Sequence, residues 1–291
     1  MYRSITLASA LCLLASPAFG GWSMTQVQTS KTSDGNGDLA TSQKVWLEGS
    51  SAKIEFLATD NPMMEAGSYL LVQDSGKKIF LVNPKRKSYA RFDVRALGSG
   101  MEAMAGSGFE MTIEDPKMVK LLEEPGMDLL GHPTTHYRFH TTYTSVLSMP
   151  MGMKTTQAND VVEDLWTAPA IEAGGTGQAL SGLGGGAGTP QELLQLERKV
   201  KATIVGLPLK QVTVTESKIR STGSGVMGLL AHRVAGGGGG GGDNRTTTTV
   251  VIKDLIEATL PASTFQIPAG FAETEILQRG PAMPDLAEEE P

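Results

Sequence analysis

From residue 22 to residue 92 the chain keeps swapping polar for apolar side chains, and that period of two most constrains its fold. An extended chain points successive side chains to opposite faces, so alternation builds a sheet with one covered face. Residues 22–31 and 40–48 mix Thr, Val and Gln, and Lys53-Ile54-Glu55-Phe56-Leu57 alternates. Two short apolar runs, 69–72 and 78–82, flank Asp74-Ser75-Gly76-Lys77, a turn sequence. Asn83-Pro84-Lys85-Arg86-Lys87 is a second turn, followed by Ser88-Tyr89-Ala90-Arg91-Phe92. Strands and turns at this spacing predict an antiparallel meander.

Residues 95–108 break the rhythm with four glycines among Ala, Met and Leu. They read either as a loose helix or as a mobile loop. Asp115-Pro116 can cap a short helix through Leu122, or the stretch can be a strand of a pair closing at Pro125-Gly126. Alternation returns over 134–146, with Tyr137 and Phe139 on one face and His136, Arg138 and His140 on the other, and 155–166 reads as the hairpin partner. A Gly-rich loop at 174–188 leads to a helix start. Thr189 is its N-cap, Pro190 its first position and Glu192 the third residue after the cap. The helix is expected to end near Lys199, because Thr203-Ile204-Val205 favours strand. Residues 209–220 and 246–256 are further strands, joined across a Gly-rich loop at 236–242 that no side chain can pack.

The first twenty residues stand apart. Arg3, an apolar run over 5–15, Ser16-Pro17 and small residues at Ala18 and Gly20 form the pattern of a secretory signal. The run is far shorter than the roughly 20 residues of a membrane span. Cys12, the sole cysteine, lies inside it, so the exported chain would carry no thiol, disulfide or cysteine-bound metal. Leu11 precedes Cys12 where a lipid-attachment site has a small residue. Without Arg3 the chain keeps 24 Lys and Arg against 31 Asp and Glu, a net charge of −7. An acidic chain with no basic stripe argues against nucleic acid as a partner. The expected organisation is a signal peptide at 1–20, one domain over 21–272 and an acidic flexible tail at 273–291.

Motifs for chemistry are sparse. His132, His136 and His140 align on a helix, but Pro133 and two threonines favour an extended chain, where residues four apart lie about 13 Å apart, too far for one metal. A solvent-facing polar row is the preferred reading. Met149, Met151 and Met153 place thioethers on one side of an extended segment, which suits Cu(I). The preferred reading of that segment is a hydrophobic hairpin tip or a cavity lip. Gly35-Asn36-Gly37 and the Gly182–Gly188 stretch lack the strand–helix setting of phosphate loops. Neither a Gly-x-Ser-x-Gly elbow nor a His-Glu-x-x-His pair is present. No cofactor is expected, and no catalytic residue is nominated. Trp46, Phe56, Tyr69, Leu71, Phe80, Tyr89, Tyr137 and Phe139, with Trp166, suggest a large curved sheet with one apolar face that few helices can cover. The eight form the candidate lining of a ligand cavity.

The order of these motifs resembles a bacterial family of exported domains of unknown function, related in fold to the lipoprotein-sorting carriers LolA and LolB. Carrying the resemblance are Tyr69-Leu70-Leu71-Val72, the stretch from Lys78 to Tyr89, and Leu130-Gly131-His132-Pro133-Thr134-Thr135-His136-Tyr137-Arg138-Phe139. Gly206-Leu207-Pro208-Leu209-Lys210 and Phe265-Gln266-Ile267-Pro268-Ala269-Gly270-Phe271 complete it. It spans about residues 22–272, interrupted at the Gly-rich stretches. It implies a mainly β (α+β) fold, an antiparallel half-barrel wrapped over one or two helices, with an apolar concave surface. The expected function is a non-enzymatic periplasmic or secreted carrier of a lipid or other hydrophobic ligand, not membrane-spanning. The alternatives are an envelope interaction or structural protein with a filled barrel, whose partner is another envelope protein, and a hydrolase without a recognisable motif.

Overall fold

Alternation becomes strand throughout. The computed structural model describes residues 20–33, 35, 38–60, 65–92, 110–148, 154–171, 191–222 and 244–274. Six strands come from the first stretch: β1 (Gly21–Thr32), β2 (Leu39–Glu48), β3 (Ser51–Thr59), β4 (Tyr69–Gln73), β5 (Lys78–Asn83) and β6 (Ser88–Phe92). Then follow β7 (Glu110–Pro125), β8 (Thr135–Ser148), β9 (Lys154–Ala168), a ten-residue helix α1 (Gln191–Val200), β10 (Leu207–Thr222), β11 (Asn244–Ala258) and β12 (Ala272–Glu273).

The strands form one twelve-stranded sheet in the order β12-β6-β5-β4-β3-β2-β1-β11-β10-β9-β8-β7. Two meanders meet where β1 pairs with β11, so the first strand sits mid-sheet between chain halves far apart in sequence. The ladders are antiparallel except β12 on β6. β7 and β12 end the sheet without pairing to each other, so it is open. Bulges interrupt the β1–β11, β2–β3, β7–β8 and β9–β10 ladders. Each bends its strand and adds right-handed twist.

One face carries the main core. On it Met24, Val45, Ala52, Ile54, Phe56, Leu70, Val72, Ile79, Leu209 and Ile252 are buried together. Cross-strand pairing carries this core face on to Gln211, Leu165 and Tyr137, so the Tyr137–Phe139–Leu165 cluster shares it. α1 runs beside β7, and Val200 and Ile204, at its end and just beyond it, pack on that cluster. The opposite face of β4–β6 is covered by a strap formed by residues 259–271. Ile267 and Phe271 lie on Tyr69, Leu71, Phe80, Val82 and Tyr89. Phe265 is buried, and its carbonyl accepts from Gln73 Nε2 at 2.7 Å.

One open choice is decided and one expectation changes. The 115–122 stretch is strand, not helix: Asp115 has φ +50°, and register skips from Glu114 to Lys117 in the ladder with β8. Pro116, with no N–H to donate, sits in that irregularity on an edge strand, where proline is tolerated. The segment after α1 is not strand until Leu207; residues 201–203 make one 3-10 turn. Ala272–Glu273 pairs with β6 and shields that edge. Residues 1–19 of the expected signal peptide, residues 95–108, the Gly-rich stretches 174–188 and 236–242, the expected Thr189–Pro190 cap and the chain beyond 274 lie outside the described residues.

Candidate functional site

The core face changes character along its strands. On β1 it runs Trp22, Met24, Gln26, Gln28, and on β2 it runs Leu47, Val45, Gln43, Thr41. Met24 pairs with Val45, and one row on, Gln26 pairs with Gln43. The same step recurs across the sheet, from Ile252 to Val250 and Thr248 on β11 and from Leu209 to Gln211, Thr213 and Thr215 on β10. The face is therefore apolar at one end of its strands and largely polar at the other, where Glu163, opposite Thr213, is the charged residue.

Side chains at the polar end bond one another. Ser217 Oγ donates to Asn159 Oδ1 at 2.8 Å, and Gln157 Nε2 donates to the same oxygen at 3.0 Å. Ser30 and Thr248 hydroxyls meet at 3.2 Å. Tyr143 stands across from Asn159, and burial raises its phenol above the ordinary value. Thr155, 2% exposed, buries a hydroxyl that has no hydrogen-bond partner. Gln26, Gln28 and Gln43 are half-buried and make no side-chain hydrogen bond to another described residue.

An ion cluster sits on the part of this face beneath the end of α1. Lys201 Nζ donates to Glu163 and to Glu197, with the second contact at 2.7 Å, and Gln211 Nε2 donates to Glu163 at 2.9 Å. Burial opposes the Lys201 charge, but the two carboxylates outweigh it and raise the pKa. Lys201 also lies over the Phe139 ring, 5.6 Å from its centroid.

The structure divides the eight residues nominated from sequence. Phe56, Tyr137 and Phe139 are on the core face. Tyr69, Leu71, Phe80 and Tyr89 are on the other face, under the strap, and Trp46 shares that side, with Lys53 between the Trp46 and Tyr69 rings at 4.8 and 4.4 Å. Trp166 is on that second side too, stacked on His136 at 4.4 Å with Lys210 over its ring. The eight are not brought together around one space.

The histidine row divides as well. His136 Nε2 lies 2.7 Å from Asp164 Oδ1, and Arg138 Nε and Nη2 grip both oxygens of that carboxylate at 2.8 and 3.1 Å. Burial pushes the Asp164 carboxyl up, yet bonds from Arg138 and His136 bring it, on balance, below its ordinary value. His140 pairs with Asp160 at 3.0 Å, and His132 closes the tight turn with Leu129. Among the described residues no three of His, Cys, Asp and Glu converge on a metal position. Met149, Met151 and Met153 lie outside the described residues.

No family model matches this sequence, and no curated protein matches it. A solved structure is similar. It is described as an outer membrane lipoprotein-sorting protein domain from Vibrio parahaemolyticus, is 11% identical, and aligns over 85% of this chain and 90% of that chain with a TM-score of 0.29. It falls in the lipoprotein-sorting class that the motif order resembles, and at that TM-score it carries no argument about this chain's shape or function. Among the described residues no helix is long and apolar enough to cross a membrane.

Sequence reasoning missed the glutamines. Their signal was available: on β1, Trp22 and Met24 give way to Gln26 and Gln28 at the same spacing, so a single face turns polar halfway along a strand.

Proposed function

We propose that this protein is a periplasmic, non-enzymatic carrier or binding protein for a lipid or other hydrophobic ligand, held on the core face of a half-barrel. The observation that carries the reading is that face itself. Its apolar side chains form one continuous cluster from β5 to β10, and α1 lies to one side, against β7–β9, and contributes nothing to that cluster. Twisted open sheets of more than about ten strands curl, split or flatten, and one curled around an apolar concave face would offer a pocket for apolar ligands. The motif order, which resembles exported domains related in fold to the lipoprotein-sorting carriers, agrees with this. The export pattern at 1–20 supports the compartment.

A second reading is a structural or interaction protein of the cell envelope whose concavity is filled by its own side chains. Burial favours it, since Met24, Val45, Val72 and Leu209 are each 1% exposed or less. One experiment separates the two. The protein purified from its own envelope is analysed by native mass spectrometry and titrated with the apolar dye N-phenyl-1-naphthylamine. Co-purifying lipid, or saturable dye fluorescence displaced by lipid, is expected for a carrier. Bare protein with no dye uptake would leave the filled reading standing.

A further inference from the structure

We infer that the ligand is an amphiphile with an uncharged, hydrogen-bonding head, and that Gln26, Gln28 and Gln43 receive that head; this rests on the hydrophobic-ligand reading. The chain's apolar rows stop at a defined line. Met24–Val45 is the last apolar pair on β1 and β2, and Gln26–Gln43 is the next. Gln43 in turn faces Phe56 across β3, and Gln26 faces Ile252 across β11. An alkyl chain that displaces the cover over Met24, Val45, Phe56 and Ile252, which are 1–6% exposed, would therefore end against carboxamides.

Those carboxamides are uncommitted. Each offers two N–H donors and a carbonyl acceptor, and none bonds another described side chain. A half-buried polar group without a partner is unfavourable where water is displaced, so a ligand that covers these amides must bond them.

Charge decides which head suits the site. At core-face positions of β1, β2, β8, β9 and β10, and over 246–252 of β11, Glu163 is the sole charged residue. It is already engaged by Lys201, and Lys201 also serves Glu197, so two carboxylates share one ammonium. Among the described residues of these strands no other cation remains on this face for a carboxylate or phosphate head, and Lys120 of the edge strand β7, over the Tyr137 ring, is paired with Glu123. Desolvating an anion without a counter-charge is costly, while an ester, amide or hydroxyl head exchanges its water bonds for glutamine bonds at little cost. The face therefore selects against free fatty acids.

Displacement of N-phenyl-1-naphthylamine from the purified protein tests this with three ligands of equal chain length: 1-monolaurin, laurate and dodecyltrimethylammonium, at a pH where laurate is ionised. Monolaurin is expected to compete about tenfold more tightly than either ion. The double variant Gln26→Leu/Gln43→Leu is expected to remove most of that difference, with circular dichroism and unfolding midpoint unchanged. Gln28→Leu gives the same comparison should the double variant fail to fold. Equal or tighter binding of laurate, or a preference that survives in the folded variants, overturns the inference and leaves the hydrophobic-ligand reading intact. Failure of the dye and all three ligands to bind overturns that reading and this inference with it.

Discussion

Lys201 Nζ lies 2.6 Å from Glu163 Oε2, joining the turn after α1 to the middle of β9. The side chains are 16% and 11% exposed, so the pair is largely screened from water. Removing one partner from such a pair leaves an uncompensated charge. Lys201→Met is expected to lower stability by about 3 kcal/mol in urea unfolding, whereas the double variant Glu163→Gln/Lys201→Met recovers at least half of it. Equal losses in both variants would mean that the pair contributes through packing alone.

Alkaline stability follows from the same lysine. Burial lowers its pKa, the two carboxylates more than offset that, and the net shift is upward. Burial also raises the phenols of Tyr69, Tyr137 and Tyr143. A group whose folded pKa is raised contributes stability fully present below its unfolded value, about 10 for Tyr and about 10.4 for Lys, and lost as pH rises through the folded value. The urea midpoint should be set by other groups through neutral pH and should fall above about pH 10. A midpoint that stays level into strong alkali would contradict this.

Gly206 holds φ +90°, and a Cβ there would stand 2.1 Å from the Ala168 carbonyl oxygen. Both facts exclude a side chain, because the contact is with backbone. Gly206→Ala should cost about 3 kcal/mol or prevent soluble expression. Gly131, also at positive φ but in open space, is the control: Gly131→Ala should cost only about 1 kcal/mol.

The strap is a stabilising cover. Phe265 is 7% exposed against β3 and β4, and Phe271 is half-buried on the Tyr69–Leu71–Val82 cluster. Phe265→Ala is expected to cost about 3 kcal/mol and Phe271→Ala about 1.5 kcal/mol in chemical denaturation. The order of the two losses is the check.

Much of the sheet was legible because alternation directly encodes which side chains share a face. Tyr137 and Phe139 fell opposite His136, Arg138 and His140 as read. The strand at 110–125 was not settled, because Asp115-Pro116 carries a local helix-start signal while the ladder with β8 decides the outcome. The candidate lining failed to converge for a different reason. β4 and β5 are apolar on both faces, as in Tyr69-Leu70-Leu71-Val72, so alternation there does not say which face is core. That is settled by the strap, whose Ile267 and Phe271 lie nearly two hundred positions away in sequence. The glutamine rows needed the register of β1 on β2 before Gln26 and Gln43 became neighbours.

Methyl-resolved NMR during titration with 1-monolaurin tests the central claim most directly. Binding on the core face predicts saturable shifts at Met24, Ile54 and Ile252, with the methyl groups of Met127, which is exposed, and Ile267, under the strap, unmoved. Shifts confined to Ile267 and its neighbours, or none at all, would contradict it.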